Sequence, residues 1–373
     1  MKKSIIYQLL TIILISLLFA CNPKGEKEQA NNISSKIRQM VDSIGFATTS
    51  LQMDSIINRI NYTQGELLQN AINNADIDSN TAWKTCISPH DDYAYVGYLY
   101  PAVLNNVKAK TVIIFGVAHK AKNYGLENKI IFDSFDYWQG PYGKIKVSPF
   151  RDSLMRMIQN ENYVVHDTIQ SVEHSVEAVL PFLQHNNPDI EIISILIPYM
   201  SYNSMTLIAM PLANRIKQLI EKNDLKWGKD IAFVISSDAV HYGDKGWGGV
   251  SYSFFGTDSA GYNKAVKHEK RIIDKCLTGN LASEKIMKFV NYTVLQSDYK
   301  QYVWTWCGRY SVPFGLLTTF YLQNQLGEKI NGTLIDYATS IDHNRLEIKD
   351  IGMGVTAPAN SNHWVGYAGI GYE

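Results

Sequence analysis

The segment KTVIIFGVAH (residues 110–119) decides the fold class of this chain. It is a short apolar run, rich in β-branched residues, that ends near glycine and histidine. This pattern is typical of a buried strand followed by a turn. The segments WKTCISPH (83–90), IEIISILIPY (190–199) and IAFVISSDAVH (231–241) follow the same pattern. The sequence therefore predicts at least four buried strands.

Helical patterns separate these strands. They are SVEHSVEAVLPFLQH (171–185), in which Glu173 and His174 are expected to begin a helix, and NSMTLIAMPLANRIKQLIEK (203–222). The tail NHWVGYAGIGYE (362–373) predicts a last strand. Strands that alternate with helices favour an α/β domain whose central sheet, mostly parallel or mixed, is flanked by helices.

The region before the first strand is predicted to be a helical appendage. Apolar residues recur at three-to-four spacing over 34–75, with interruptions near Gly45 and Gly65. This spacing predicts two or three amphipathic helices. We therefore place an N-terminal helical extension at 34–80 and one α/β domain at 81–373.

The first residues predict export and not a part of the fold. Lys2 and Lys3 precede an apolar run, and the segment LLFAC, ending at Cys21, resembles a bacterial lipobox. This arrangement predicts a signal peptide at 1–20 and a polar tether at 21–33 that begins with a lipidated Cys21. We expect a lipoprotein of a bacterial envelope, at the outer membrane, whose membrane contact is through Cys21 only.

The composition narrows the classes of partner. The chain has 46% hydrophobic and 19% charged residues, which is typical of a globular protein and not of a disordered one. Lys+Arg and Asp+Glu both total 35, so no nucleic-acid partner is expected. The expected partner is a small-molecule substrate or a metal ion, and the oligomeric state is left open. Three cysteines remain beyond Cys21, namely Cys86, Cys276 and Cys307. Because three is an odd number, at least one of these thiols stays free.

Three predicted strands end on loops that carry histidine. These loops deliver His90, His119 and the pair Asp238 and His241. Because the carboxyl ends of strands in an open α/β sheet form the edge where ligands bind, we expect these side chains to converge. Two histidines and a carboxylate are the ligands that a non-haem Fe(II) or a Zn(II) site requires.

A cysteine joins this set in the segment TWCGRYSVPFG (305–315), which reads as a turn that opens an apolar helix. A thiol near a helix N-terminus and beside Arg309 is expected to have a lowered pKa. Cys307 is then a metal ligand, a nucleophile or a small buried hydrophobe, and residue chemistry alone leaves all three readings open. His174 is expected either to reach the same pocket or to cap its helix.

Seven segments together carry a resemblance to a known family. They are PHDDY (89–93), YVG (95–97), GVAH (116–119), EHSVEAVLPFLQ (173–184), SSDAVHY (236–242), Cys307-Gly308 and VGYAGIGY (365–372). In this order they resemble motifs of the Memo family, whose bacterial members are often named AmmeMemoRadiSam system protein B. The family is similar in fold to class III extradiol dioxygenases. Two departures are Asp91-Asp92, where the family has Ala-Gly, and Val117-Ala118, where it has Pro-Ser.

The resemblance implies a pocket that binds iron or copper; iron is the expected metal, and the ligand types also allow zinc. Its conserved pocket groups correspond here to His90, His119, Asp238, His241 and Cys307. One hypothesis is a metal-dependent oxidoreductase in which His90 and His119 hold Fe(II), Cys307 or Asp238 is the third ligand and His241 is the acid/base. The second is a metal-binding redox protein without turnover. The third is a hydrolase or transferase in which Cys307 attacks, with His241 or His90 as the base.

Overall fold

The computed structural model describes residues 35–78, 80–243 and 252–373, and these residues form fifteen strands. The strands are β1 (Ile37–Arg38), β2 (Thr85–Ser88), β3 (Thr111–Val117), β4 (Ile130–Phe132), β5 (Tyr137–Gly140), β6 (Gly143–Val147), β7 (Tyr163–Val165), β8 (Glu191–Ile197), β9 (Ile231–Ser236), β10 (His241–Gly243), β11 (Gly279–Asn280), β12 (Val294–Leu295), β13 (Asp298–Tyr302), β14 (Asn331–Thr339) and β15 (His363–Tyr372).

Helices lie between these strands throughout the described part of the chain. They are α1 (Ser50–Thr63), α2 (Gly65–Asn74), α3 (Tyr93–Val96), α4 (Leu99–Leu104), α5 (Phe150–Met155), α6 (Asp167–Val172), α7 (Leu180–Asn186), α8 (Tyr202–Lys222), α9 (Ser259–Cys276), α10 (Ser283–Thr293) and α11 (Ser311–Leu326). The predicted helix at 203–222 and the helix after Cys307 are confirmed as α8 and α11.

The four predicted strands are confirmed, and they are neighbours at the centre of one mixed sheet of thirteen strands. The main order is β1-β5-β6-β8-β3-β9-β2-β15-β14-β11. The pairs β8–β3, β3–β9 and β9–β2 are parallel, whereas β15, the confirmed last strand, pairs antiparallel with β2 and β14. Because β2, β3 and β9 run in the same direction, the residues that follow them all leave the sheet at one edge.

Both faces of the sheet are covered, which explains why its central strands are apolar throughout. On one face, Ile113 and Phe115 of β3 belong to a buried cluster with residues of α8 and α11. On the other face, Val112 and Ile114 belong to a cluster with residues of α1, α4 and α7. The predicted α/β class, with a mixed sheet between layers of helices, is confirmed.

The N-terminal extension is only partly helical. Two of the expected helices are present as α1 and α2, but the residues before Gly45 are not helical in the described region. Instead, Ile37 and Arg38 form β1 and pair with β5 at the end of the sheet. Residues 36–373 form one compact unit, so the extension is continuous with the α/β domain.

The prediction of a helix that begins at Glu173 is wrong. The segment 171–185 is divided between the end of α6 and the start of α7, and residues 173–179 lie between the two. Glu173 is extended, with φ −97° and ψ 132°. Its carboxylate accepts the backbone N–H groups of His174 and Ser175, which turns the chain away from the helix.

Residues 1–34 lie outside the described residues, and with them the predicted signal peptide, Cys21 and the whole of the predicted tether. Within the described residues, no helix combines the length and the apolar character that a membrane span requires.

Candidate metal centre

The histidines that follow β2 and β3 lie beside the thiol of Cys307. His119 Nε2 is 3.0 Å from Cys307 Sγ, and His90 Nε2 is 3.3 Å from the same sulfur. His90 is 1% exposed and Cys307 is 8% exposed. The carboxyl edge of the sheet therefore brings two imidazole nitrogens and one sulfur together at a site where His90 and Cys307 are buried and the side chain of His119 is 29% exposed.

The tautomer of His90 is fixed by Ser236, the last residue of β9. The Ser236 hydroxyl donates its one proton to the carbonyl of Ser175, so its oxygen must accept from His90 Nδ1, 2.9 Å away. His90 then carries its proton on Nδ1. Its Nε2 atom faces Cys307.

His119 is oriented in the same sense by Glu173. Glu173 Oε1 lies 2.8 Å from His119 Nδ1, and Glu173 Oε2 accepts the backbone N–H of His119 at 2.8 Å. A histidine that donates Nδ1–H to a carboxylate presents Nε2 as a basic ligand, which is the usual outer-shell arrangement at protein metal sites. Glu173 is 1% exposed and its four hydrogen bonds occupy both carboxylate oxygens. It is a group that positions His119.

The position of Cys307 depends on the strand-like segment that contains His241. Cys307 donates its backbone N–H to Ala239 at 3.1 Å, and His241 donates its own to Thr305 at 3.0 Å. A Cβ on Gly308 would lie 2.0 Å from Ser237 Oγ. Glycine after the cysteine is therefore required for the chain to come this close to the end of β9.

The thiol of Cys307 is strongly acidic, as predicted, but for a different reason. Burial alone would raise its pKa, but His119 and His90, together with hydrogen bonds from His119 and His241, hold the pKa well below its ordinary value. Arg309, which the sequence suggested as the cause, is directed elsewhere, with its guanidinium carbon 3.5 Å from the centroid of the Tyr302 ring. All three described cysteines are free, so Cys86 and Cys276 form no disulfide.

Asp238 and His241 lie next to the three ligand atoms and outside the cluster that they form. Asp238 Oδ1 accepts the backbone N–H of His90 at 2.8 Å, and Asp238 Oδ2 lies 3.5 Å from His90 Nε2 and 3.8 Å from His241 Nε2. Burial lowers the pKa of His241, but Asp238 and Cys307 outweigh it and raise that pKa to about 10. Burial would raise the pKa of Asp238, but His90 and His241 outweigh it and lower that pKa. Asp238 is therefore placed to orient His90, and His241 is placed to hold a proton.

His174 stacks on His119, with ring centroids 4.6 Å apart, and lies edge-on to His90 at 5.7 Å. Burial, followed by the charge of His119, lowers the pKa of His174 to about 4. His174 is therefore neutral near pH 7. A second group of possible ligands contains His119, Glu173 and His174, but the oxygens of Glu173 are already occupied by their hydrogen bonds.

The centre opens on a cavity of about 350 Å³, which we call the carboxylate pocket. Its walls include the four carboxylates of Asp42, Asp91, Asp92 and Asp238. Burial, followed by Asp238, raises the pKa of Asp91 to about 6, and burial, followed by Asp91, raises that of Asp92 to about 8. Asp42 comes from the N-terminal extension, so that segment forms part of the pocket wall.

Sequence reasoning missed Glu269, a fully buried carboxylate of α9. Glu269 Oε1 accepts the indole N–H groups of Trp304 and Trp306 at 2.5 and 2.7 Å, and Oε2 accepts the backbone N–H of Val240 at 3.1 Å. It thus supports both the segment before Cys307 and the residue before His241. A carboxylate on an amphipathic helix gives no local signal that it points inward.

Glu269 predicts a pH-dependent stability. Burial raises its pKa from 4.5 to about 7, in spite of the indole hydrogen bonds that lower it. Between these values the folded protein binds the proton that the unfolded chain releases, so its contribution to stability falls as the pH rises. Glu269→Gln resembles the protonated form and does not titrate. We therefore expect the free energy of unfolding of this variant, relative to the wild type, to rise by about 2 kcal/mol between pH 5.5 and pH 8.5. Urea unfolding at both pH values measures this, and an unchanging difference would contradict it.

The three ligand atoms fit a transition metal. A tetrahedral ion with ordinary Zn–N and Zn–S bonds separates nitrogen from sulfur by roughly 3.6 Å, a few tenths of an ångström more than the contacts in this structure. One thiolate and two neutral imidazoles favour iron, copper or zinc over magnesium or calcium, which prefer oxygen. Three protein ligands also leave a coordination position for a small molecule.

Comparison with known proteins gives one consistent family. A family model described as "Memo-like protein" matches residues 61–355. A MEMO1 family protein of Archaeoglobus fulgidus is 29% identical over 159 residues, which cover 42% of this chain and 54% of the relative. Relatives of the same description from Methanosarcina barkeri and Saccharolobus islandicus are each 30% identical and are covered over 54% and 52% of their lengths. The chain thus spans about half the length of the curated relatives it matches.

Proposed function

This chain belongs to the Memo-like protein family, and we propose that it binds a transition metal through His90 Nε2, His119 Nε2 and Cys307 Sγ. The observation that carries the proposal is the outer hydrogen bonding of the two histidines. Ser236 and Glu173 each bind the Nδ1 atom of one ring, and both Nε2 atoms then face one acidic thiol. Hydrogen bonds of this kind at Nδ1 are typical of histidines that bind a metal ion through Nε2.

Iron is the proposed metal, with copper and zinc as the alternatives that elemental analysis separates. The resemblance to Memo proteins and extradiol dioxygenases implies iron or copper, and the donor set supports the same choice over magnesium or calcium. A bound iron ion would supply an electrophilic centre that can exchange an electron. We propose a metal-dependent oxidoreductase that acts on a small molecule.

The residues around the ligands would handle protons in this reaction. His241 is 3.8 Å from Asp238 Oδ2 and lines the carboxylate pocket, so it is placed to hold a proton beside a bound molecule. Asp238 also fixes the backbone of His90. His174 stacks on His119, lines the same pocket and is neutral, so it is the proposed proton acceptor. An acid and a base that line one cavity suit a reaction that transfers a proton to and from the substrate.

The proposed site of action is a bacterial envelope, with the outer membrane as the expected one. This part of the proposal rests on residues 1–33, in which a charged start and an apolar run precede Cys21 and a polar tether.

A second candidate function follows from the same distances. Cys307, His119 and Glu173 form a chain in which the thiol is 3.0 Å from Nε2 and the carboxylate is 2.8 Å from Nδ1. This is the order of nucleophile, base and orienting acid in cysteine-dependent hydrolases and transferases. The nearest base in this arrangement is His119, where the sequence suggested His241 or His90.

Elemental mass spectrometry on the purified chain, combined with alkylation by iodoacetamide, separates the two candidates. The metal proposal predicts about one equivalent of iron, copper or zinc, and protection of Cys307 from alkylation until a chelator removes the metal. Metal-free protein whose Cys307 alkylates at once, with or without chelator, would reject the metal proposal and favour the nucleophile.

A further inference from the structure

A second, smaller cavity of about 110 Å³ also reaches the centre and shares His119 and His241 with the carboxylate pocket. We call it the tyrosine pocket. Its lining includes His119, His241 and Cys307 of the centre, and Tyr199, Tyr302, Tyr310 and Arg309. The cavity therefore connects the ligand atoms with an aromatic wall and one cationic side chain.

Arg309 is buried, and no carboxylate of the described residues forms an ion pair with it. It is 5% exposed, and its Nε makes no hydrogen bond. Among the described residues, the arginines that form ion pairs are Arg38, Arg59 and Arg151. A buried cation normally has an anion beside it, because removal of an unpaired charge from water is strongly unfavourable. The described part of the chain does not provide that anion for Arg309.

Tyrosine rings hold the guanidinium in place. Its central carbon lies 3.5 Å from the centroid of Tyr302, 4.7 Å from that of Tyr310 and 5.5 Å from that of Tyr199. The guanidinium makes one hydrogen bond with the Tyr310 hydroxyl. Stacking against aromatic faces leaves the rest of the edge of the guanidinium plane, including Nε, available for a planar acceptor. The Tyr310 hydroxyl is occupied, because it donates to the carbonyl of Tyr299 at 2.6 Å.

From these contacts we propose that the tyrosine pocket binds the carboxylate group of a small organic acid, with the carboxylate on Arg309. A planar carboxylate matches the fork of a guanidinium and pairs with it through two hydrogen bonds. The rest of the molecule then extends toward Cys307 and His119. The proposal names the substrate class of the metal centre, and to that extent it rests on the proposed function.

The distribution of charged residues determines how the bound acid is oriented. The carboxylate pocket carries Asp42, Asp91 and Asp238, beside Asp92, whose raised pKa keeps it mostly protonated near pH 7. The tyrosine pocket has Arg309 and no carboxylate among its described lining residues. The amino-terminal end of α11, which begins at Ser311, also brings its positive helix dipole to this side. An acid is therefore expected to lie with its charged end away from the carboxylates. The cavity volume limits it to a few atoms beyond the carboxylate or to one partly inserted ring.

The test compares acids with their neutral amides on the full chain, as purified and after chelator treatment. The probes are benzoate against benzamide and propionate against propionamide, with inorganic phosphate as a second anion. We expect the wild type to prefer each acid by at least about tenfold, in both metal states, because one charge-assisted ion pair distinguishes the probes. Titration calorimetry measures the affinities.

The variant Arg309→Met should bind acid and amide equally, and Arg309→Lys should keep a reduced preference, because lysine retains the charge without the fork. Arg271→Met, at an exposed position of α9, is the matched control and should retain the wild-type preference. Circular dichroism shows whether Arg309→Met folds. If it does not, the preference for acid over amide in the wild type and in Arg309→Lys tests the proposal.

Equal affinity of the wild type for acids and amides would overturn the proposal, and so would a preference that survives in Arg309→Met. Phosphate that binds more tightly than either acid would overturn the carboxylate assignment. Metal content is measured separately on the same samples. A metal-free protein with the acid preference rejects only the metal function, and a metal-loaded protein without the preference rejects only the acid pocket.

Discussion

Cys307→Ser is expected to lower the affinity for the bound metal by at least about a hundredfold, which exceeds the usual effect of removing an outer-shell partner. The substitution keeps the volume and replaces the thiolate, whose pKa is held well below its ordinary value, with a neutral hydroxyl. Hydroxyl oxygen is a poor ligand for iron, copper or zinc beside two imidazoles. Competition with a chromophoric chelator measures the affinity.

The matched control is Cys276→Ser, which changes another buried thiol. Cys276 is the last residue of α9 and does not belong to the group of possible ligands. Burial raises the pKa of Cys276 to about 11, so it is a protonated thiol without a ligand role. This variant should keep the wild-type metal affinity. A Cys307→Ser affinity within about threefold of the wild type would show that the sulfur is not a ligand.

A smaller loss of metal affinity is expected for Glu173→Gln. The amide keeps an acceptor for His119 Nδ1 and removes the charge that makes Nε2 a stronger ligand. Outer-shell changes of this kind lower metal affinity by about 10–100-fold. The expected order of affinities is therefore wild type, then Glu173→Gln, then Cys307→Ser.

Arg38→Leu is expected to destabilise the folded chain by about 3–5 kcal/mol, since it leaves a buried carboxylate without its cation. Arg38 and Glu177 form an ion pair in which both side chains are at most 1% exposed. Arg38 also donates to the backbone carbonyl of Glu173 at 2.6 Å and lies over the ring of Trp138 at 4.5 Å. The N-terminal extension thus holds the segment that carries Glu173 and His174.

Urea denaturation measures this loss, with two comparison variants. Lys36→Met removes a neighbouring ion pair with Asp167 whose side chains are 50% and 25% exposed, and it should cost less than about 1 kcal/mol. Arg38→Leu/Glu177→Gln removes the orphaned charge and keeps an acceptor for the backbone N–H of Val41, so it should recover part of the stability. A loss in Arg38→Leu no greater than in Lys36→Met would contradict the account.

The central strands of the sheet were predictable because burial on both faces makes them short, largely apolar runs. The segments that became β3, β8 and β9 show this pattern plainly, whereas β2 (TCIS) shows it weakly. Their parallel order then gathers the residues that follow them at one edge. The helix predicted to begin at Glu173 is absent because contacts with residues distant in sequence, His119 and Arg38, determine the backbone conformation there.

The details of the site depend on contacts that no local pattern contains. Ser236 and Glu173 fix the two imidazoles from other elements of the fold, and Glu269 acts from a helix. Arg309 is adjacent to Cys307 in sequence but stacks on Tyr302. The sequence therefore named residues that could meet, and the packing determines which atoms face each other.

X-ray absorption spectroscopy at the edge of the bound metal identifies the ligand atoms directly. If His90, His119 and Cys307 bind the metal, the spectrum should show one sulfur scatterer at about 2.3 Å and at least two imidazole nitrogens at about 2.0–2.1 Å for a zinc-sized ion. The sulfur contribution should disappear in Cys307→Ser and remain in Cys276→Ser. A wild-type spectrum with only nitrogen and oxygen neighbours would contradict the assignment of His90, His119 and Cys307 as the ligand set.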